Sequence, residues 1–291
     1  TSHIKTGNKL KARKLIQNIW IHGNFGAKQE RQFYRQFRQY MTREDHIARL
    51  DRLLWESKYY HARRMYRRIN PDYRALAEAR LTLSRMRGGV DRAITRVPQK
   101  LINDPGLVYE RLRWRRKKGK NKFAQELLTY PPKNLVHPIR WWRERAILAR
   151  RALRDGHISE AYALVKAHGL GVADRLSFVD AEWLAGWIAL QFLKDKEIGY
   201  LHFLNAYQAS NFPISKSRCA YWAGRAAESQ NKTDRAKYWY EVASQYQTAF
   251  YGQLAGDRLP SDEKLKPPKG DSVSGTVSND FGNDELVTVV R

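Results

Sequence analysis

Residues 221–255 read YWAGRAAESQNKTDRAKYWYEVASQYQTAFYGQLA, a stretch that predicts two helices joined by a tight polar turn. Small residues fall where the two helices must touch, and large aromatic residues lie beside them. The small residues are Gly224, Ala227, Ala236 and Ala243, and the aromatic residues are Trp222, Trp239 and Tyr240. Their order along the chain follows the tetratricopeptide pattern, in which a small residue on each helix allows close crossing. Such a hairpin cannot bury its apolar face alone, so further copies are expected.

A recurring pair of residues marks these copies: a turn residue and, five positions later, a small residue. The pairs are Asn231/Ala236, Gly156/Ala161, Gly119/Ala124, Gly88/Ala93 and Ser57/Ala62, with Asp195 and Gly199 or Tyr200 as a degenerate member and Gly23/Lys28 as a last one. The steps between pairs, roughly 31 to 39 residues, suit helical-hairpin repeats. The sequence therefore predicts an all-α fold, an α-superhelix (solenoid) of tandem tetratricopeptide-like hairpins over residues 1–259.

The composition changes after Leu259. Residues 260–280 are rich in Pro, Lys, Gly, Ser and Asp and hold almost no apolar residue, which predicts a flexible linker. Residues 281–291 then read as the truncated start of a following helical domain. No run of about 18 apolar residues occurs anywhere, so no membrane span is predicted.

The net charge of +25 is unevenly distributed. Residues 1–150 hold 37 Lys and Arg against 12 Asp and Glu, whereas residues 151–291 hold 17 of each kind. A field of one sign attracts polyanions and steers charged partners. The first half of the chain is therefore predicted to present a cationic surface.

Two groups of residues in that half are candidates for binding an anionic substrate. The first is the run Arg113, Arg115, Arg116, Lys117, Lys118 and Lys120. The second is the adjacent pair Trp141 and Trp142, which cannot both face one groove, so an exposed member could stack on a sugar or a base. A further helix, over residues 59–69, is predicted to turn Arg63, Arg64, Arg67 and Arg68 outward.

Other chemistry is sparsely represented. Cys219 is the only cysteine, which excludes an internal disulfide and a cysteine-based zinc site and predicts a buried thiol. The eight His residues lack metal-ligand spacing, and the Gly169-Leu-Gly171 segment lacks the preceding strand of a phosphate-binding loop. No cofactor and no metal are predicted.

Several runs carry a likeness to a known family. They are EWLAGWIAL at 182–190, AYWAGRAA at 220–227, TAFYGQLA at 248–255, HIARLDRLLW at 46–55 and DPGLVYERLRWRR at 104–116. Together they resemble the superhelical, non-catalytic part of soluble lytic murein transglycosylases. The resemblance extends in order over about residues 10–260.

This resemblance implies a periplasmic protein that acts on peptidoglycan. Enzymes of the family cleave the glycan strand between N-acetylmuramic acid and N-acetylglucosamine, and the muramic 6-hydroxyl closes a 1,6-anhydro ring. One glutamic acid of a lysozyme-like domain serves first as acid and then as base. The resemblance also implies that the catalytic domain docks near the end of the superhelix, against Tyr221, Trp222, Phe250, Tyr251 and Gln253.

The chain departs from the family at the catalytic residue. The family's Glu-Ser pair precedes a Gly-Leu-Met-Gln segment, whereas neither Glu56-Ser57 nor Glu228-Ser229 does so. Both pairs are predicted to be solvated turn residues, so no catalytic residue is assigned and the chain is expected to be inactive alone.

Two other functions fit the same residues. A tetratricopeptide-like scaffold could bind an acidic protein partner through the Arg113–Lys120 run. A nucleic-acid binder would also use the cationic half, although the sequence holds no recognised nucleic-acid motif and its aromatic residues follow helix-packing positions.

Overall fold

The computed structural model describes residues 9–260, and all regular secondary structure in that range is helical. The prediction of an all-α fold is therefore confirmed. The predicted linker, except for its first residue, and the predicted helix start at 281–291 lie outside the described residues. None of the helices in residues 9–260 is long and apolar enough to span a bilayer.

The chain divides into two compact units between Asp174 and Arg175. The N-terminal unit contains ten α-helices within the described residues. They are α1 (Lys9–His22), α2 (Ala27–Phe37), α3 (Arg43–Trp55), α4 (Tyr59–Arg64), α5 (Pro71–Ser84), α6 (Val90–Thr95), α7 (Pro105–Lys117), α8 (Asn121–Thr129), α9 (Pro138–Arg154) and α10 (Ile158–Lys166).

The C-terminal unit contains five α-helices within the described residues. They are α11 (Leu176–Ile188), α12 (Lys196–Ala209), α13 (Pro213–Ser229), α14 (Thr233–Ser244) and α15 (Phe250–Gly256). A π-helical turn, Ala189–Leu193, extends α11.

One turn geometry recurs in four hairpins. The turn residues Ser57, Gly119, Gly156 and Asn231 all adopt left-handed backbone angles, with φ of 59°, 74°, 82° and 59°. The N–H of the next residue donates in each case to the carbonyl five positions earlier, for example Lys58 to Leu53 at 2.8 Å. This is a Schellman C-cap. The residue five positions after each turn residue is a buried alanine: Ala62, Ala124, Ala161 and Ala236. Four of the predicted pairs are thus confirmed.

The degenerate member also turns at a left-handed residue, but one position earlier than predicted and with a wider hydrogen-bonded turn. The left-handed residue is Lys194 rather than Asp195, with φ of 60°, and the buried small residue is Gly199. The π-helical turn causes the shift, because the N–H of Asp195 reaches back six residues, to the carbonyl of Ala189, at 3.0 Å.

The predicted pairs Gly88/Ala93 and Gly23/Lys28 differ from the structure. The first hairpin turns at Met86, with φ of 54°, and again at Gly89, with φ of 75°, so Gly88 is not the left-handed residue. The buried residue at the start of α6 is Val90 instead of Ala93. Gly23 also lacks the left-handed conformation. The next helix, α2, begins after Gly26, whose backbone is extended.

Close helix crossing in the C-terminal unit depends on glycine. A Cβ on Gly224 of α13 would lie 2.7 Å from the ring of Tyr240 on α14, and a Cβ on Gly186 of α11 would lie 2.8 Å from the ring of Phe203 on α12. Both aromatic side chains are buried. The small-and-aromatic pairing predicted from residues 221–255 is therefore the actual packing of that hairpin.

Candidate functional site

The predicted basic run is largely engaged in holding the N-terminal unit together. The Arg116 guanidinium on α7 forms an ion pair with the buried carboxylate of Glu144 on α9, with Nη2 donating to Oε1 at 2.9 Å. Arg113 pairs with Glu110 at 3.3 Å, and Arg115 Nη1 donates to the carbonyl of Phe123 at 2.7 Å. Burial raises the pKa of the Glu110 carboxyl, an effect that Arg113 opposes. Within this run, Lys117 and Lys118 remain exposed.

The hypothesis of an exposed tryptophan at Trp141 or Trp142 is wrong. Trp141 is 0% exposed and Trp142 is 3% exposed. The ring of Trp141 packs on Tyr109 of α7 at 5.5 Å between centroids, and that of Trp142 packs on His168 at 6.4 Å. Helix α9 is covered on two sides, so two neighbouring residues can both be buried. Neither indole is available to stack on a ligand.

The residues predicted to dock a catalytic domain cluster in the C-terminal unit, but most of them are core. Tyr221 is buried and packs on Tyr251 at 5.4 Å, while the half-buried Trp222 lies 6.3 Å from Trp183. Phe250 is 66% exposed, and Gln253 is exposed with its amide donating to the carbonyl of Gln247. Of the five, Phe250 and Gln253 are free to meet a partner.

The glycine of the Phe-Tyr-Gly-Gln run has a packing role. A Cβ on Gly252 would lie 2.0 Å from the carbonyl oxygen of Tyr246. The loop before α15 therefore lies directly against that helix, and only glycine leaves room for its backbone.

Both Glu-Ser pairs end the first helix of a hairpin, as predicted, but their carboxylates are ion-paired. Glu56 binds Arg52 at 2.8 Å and Lys58 at 2.9 Å. Glu228 accepts hydrogen bonds from the Tyr240 hydroxyl at 3.0 Å and from Arg258 at 3.1 Å. Burial raises the pKa of Tyr240, and the bond to Glu228 adds to that effect. These contacts account for the two glutamates as structural groups.

A cluster of like charge lies elsewhere, around a cavity of about 420 Å³ on the N-terminal unit. Helix α2 supplies one side of it, and α4 with the turn that follows supplies the other. We call it the arginine pocket, lined by Ala27, Glu30, Arg31, Arg63, Arg64, Arg67 and Arg68. Five guanidinium groups and one carboxylate thus border a single cavity.

The carboxylate of Glu30 forms the floor of the arginine pocket and is 1% exposed. Arg64 Nη2 binds it at 2.8 Å, Arg68 Nη1 at 3.3 Å and, from behind, Arg49 Nη2 at 3.5 Å. Burial lowers the pKa of Arg49 to about 10, an effect that Glu30 opposes. Glu30 is therefore already shared among three arginines.

The rim of the arginine pocket is formed by Arg31, Arg63 and Arg67, all exposed. Arg31 Nε donates to the carbonyl of Ala27, and within residues 9–260 no carboxylate forms an ion pair with Arg63 or Arg67. The sequence predicted that Arg63, Arg64, Arg67 and Arg68 face outward from residues 59–69. Arg63 and Arg67 do so, whereas Arg64 and Arg68 are half-buried and pair with Glu30. The sequence could not show that α2 lies against them, because nothing in the local pattern links residues 27–31 to 63–68.

Groups for metal or redox chemistry do not assemble in the part of the chain that the structure describes. No three His, Cys, Asp or Glu side chains there come close enough to hold a metal ion. Cys219 is buried, as predicted, and burial raises the pKa of its thiol to about 12.

The sequence matches no established family profile and no curated protein, and no solved structure matches the fold.

Proposed function

We propose that this chain is the superhelical, murein-engaging part of a soluble lytic transglycosylase. The proposal rests on one observation: the three runs that resemble this family, at 182–190, 220–227 and 248–255, contact one another in the structure. They lie far apart along the chain, yet their aromatic residues pack together through the contacts Trp183–Trp222 and Tyr221–Tyr251. Their glycines, Gly186, Gly224 and Gly252, each allow a close approach within the same unit.

The proposed architecture is a superhelix built from the hairpins of each unit. Four of these hairpins share one left-handed turn and a fifth turns at the left-handed Lys194, and in all five a buried small residue follows five positions later. Repeats of one geometry stack on their neighbours in the same way each time, which is how solenoids bury a continuous core. This repetition supports the tetratricopeptide-like interpretation.

In the proposed role the chain guides glycan strands toward a catalytic lysozyme-like domain in the periplasm. Phe250 and Gln253 are the exposed residues that such a domain would contact. The chain itself is proposed to be catalytically silent. The carboxylates of Glu56 and Glu228 are both held by basic side chains, and neither belongs to the family's catalytic segment.

Co-sedimentation of the purified chain with isolated sacculi tests the proposal. The chain should be retained at moderate salt in the presence of excess RNA, because murein offers shape and sugar contacts that a generic polyanion lacks. Loss of binding on addition of RNA or modest salt would instead define a general polyanion surface.

A second measurement tests the catalytic part of the proposal. Sacculi incubated with the chain should release no 1,6-anhydromuropeptides in chromatographic analysis. Release of such products would show that a catalytic group lies within this chain and would contradict the assignment of Glu56 and Glu228 as structural residues.

A further inference from the structure

We propose that the arginine pocket binds carboxylates of murein peptide stems. This inference rests on the proposed function and names the part of the substrate that the N-terminal unit recognises. It replaces the basic run at Arg113–Lys118, whose arginines are already engaged within the fold.

The charge balance of the arginine pocket is the first argument. One carboxylate, that of Glu30, faces five arginines across a cavity of about 420 Å³, and Arg49 lies behind it. Like charges held this close repel one another unless an anion lies between them. A bound anion would relieve this repulsion, and Glu30 is the one acidic residue among those that line the cavity.

The hydrogen-bonding capacity of the pocket is the second argument. A guanidinium offers five N–H donors in a planar fork that fits a carboxylate. The donors of Arg64 and Arg68 are partly used by Glu30, whereas Arg63 and Arg67 donate to no carboxylate within residues 9–260. Arg68 Nε is buried without a hydrogen-bond partner. Free donors thus lie at the rim and also beside the floor, although the Glu30 carboxylate itself is already paired.

The internal carboxylate also indicates the chemistry of the ligand. Glu30 shows that these helices place several guanidiniums around one planar carboxylate at 2.8 to 3.5 Å. A second carboxylate from outside meets the same kind of donor at the rim. Murein peptide stems carry such carboxylates along a flexible chain, and the cavity is open to the solvent side where Arg31, Arg63 and Arg67 lie.

The test is calorimetric titration of the whole chain with a purified disaccharide-tetrapeptide from murein. The R63Q/R67Q double variant should bind the muropeptide about tenfold or more weakly, a change that corresponds to the loss of one charge-assisted contact. Both side chains are exposed and form no ion pair within residues 9–260, so the variant keeps its fold. Circular dichroism verifies this.

The R92Q/R96Q double variant is the matched control. Arg92 and Arg96 are exposed, have the same i,i+4 spacing, lie in the same unit and are outside the pocket. This control should bind as the unchanged chain does. Equal weakening in both variants, or no weakening in either, would overturn the inference. Chitotetraose, which has the sugars without carboxylates, should not depend on Arg63 and Arg67.

Three further outcomes separate this inference from the proposed function and from other ligands. If the chain sediments with sacculi but R63Q/R67Q binds the muropeptide normally, the pocket assignment fails and the proposed function stands. If inorganic phosphate displaces the muropeptide at a lower concentration than succinate, a dicarboxylate of similar charge, the pocket is a phosphate site and the assignment is overturned. If a glutamate-rich peptide binds at the pocket while sacculi are not retained, both proposals give way to an acidic protein partner.

Discussion

Gly106 illustrates how a single residue without a side chain determines the packing of buried charge. Arg80 is 3% exposed and forms ion pairs with Asp51 and with Asp104. Asp104 also caps α7, accepting the N–H of Leu107 at 2.9 Å. A Cβ on Gly106 would lie 2.1 Å from the central carbon of the Arg80 guanidinium. The Asp-Pro-Gly motif thus supplies a helix cap, an ion-pair partner and the space that this arginine occupies.

We expect the substitution Gly106→Ala to lower the free energy of unfolding by about 2 to 4 kcal/mol, the range for disrupting a buried charge network. The methyl group must displace the Arg80 guanidinium, which then loses contact with Asp51 and Asp104. Urea denaturation followed by circular dichroism measures the change.

The matched control is Gly256→Ala, at the end of α15, where an added Cβ meets no atom within 4 Å. This control should raise the free energy of unfolding by at most about 1 kcal/mol, because alanine forms helices better than glycine does. Equal stability of the two variants would mean that Arg80 relocates without cost and that the glycine serves another purpose.

The candidate site shows the limit of residue-level prediction. Charge and adjacency suggested Arg116 and Trp142 as ligand-binding groups, but Glu144 neutralises the first and His168 covers the second. Both covering residues lie more than 20 positions away along the chain. A sequence shows which side chains could bind an anion or a sugar, and long-range packing determines which of them are still available.

At the scale of the hairpin, the sequence was more informative, since local backbone chemistry sets the turn. Gly119, Gly156 and Asn231 are residue types that tolerate left-handed angles, and all three were found by their spacing. Met86 and Lys194 were missed because such residues rarely adopt these angles. Their positions depend on the neighbouring helices, one of which contains a π-helical turn.

Turn substitutions should therefore fall into two groups. Gly119→Ala and Gly156→Ala should each destabilise the chain by about 1 kcal/mol, because an L side chain at positive φ is strained. The expected loss comes from the backbone alone, since an added Cβ at either position meets no atom within 4 Å. Ser57→Gly should have the opposite effect, a gain of up to about 1 kcal/mol, by relieving existing strain. Urea midpoints of the three variants measure these changes.

Gly88→Ala is the control for this series. It distinguishes a turn centred on Gly88, as the sequence predicted, from the turn seen in the structure. The sequence pattern placed the turn at Gly88, whereas the left-handed residues are Met86 and Gly89. An added Cβ at Gly88 meets no atom within 4 Å. The variant should therefore be as stable as the unchanged chain; a loss like that of Gly156→Ala would favour the register predicted from sequence.

At the scale of the whole molecule, charge follows the division into units. Residues 1–174 contain 40 Lys and Arg against 15 Asp and Glu, and residues 175–291 contain 14 of each kind. The entire net charge of +25 thus belongs to the N-terminal unit. The sequence alone predicts this charge asymmetry. It does not predict the arginine pocket, because the pocket joins α2 to residues more than 30 positions further along the chain.

We expect added salt to stabilise the N-terminal unit selectively. Self-repulsion among so many like charges weakens the folded state, and raising NaCl from about 0.05 to about 0.5 M shortens the screening length severalfold. Amide hydrogen exchange followed by mass spectrometry should therefore slow in α1–α10 at the higher salt concentration. Exchange in α11–α15 should change little, so the neutral unit serves as an internal control for effects of salt on the exchange chemistry itself.

The sign of this effect separates two contributions within the N-terminal unit. Salt also weakens attractive pairs such as Arg64–Glu30, but 15 acidic residues can pair with only some of the 40 basic ones. Repulsion should therefore dominate, and faster exchange at high salt would contradict that balance. Sodium sulfate at equal ionic strength adds a second comparison. Sulfate also stabilises folded proteins generally, an effect that both units share. Protection of α2 and α4 beyond that of the other helices would locate the unbalanced charge at the arginine pocket.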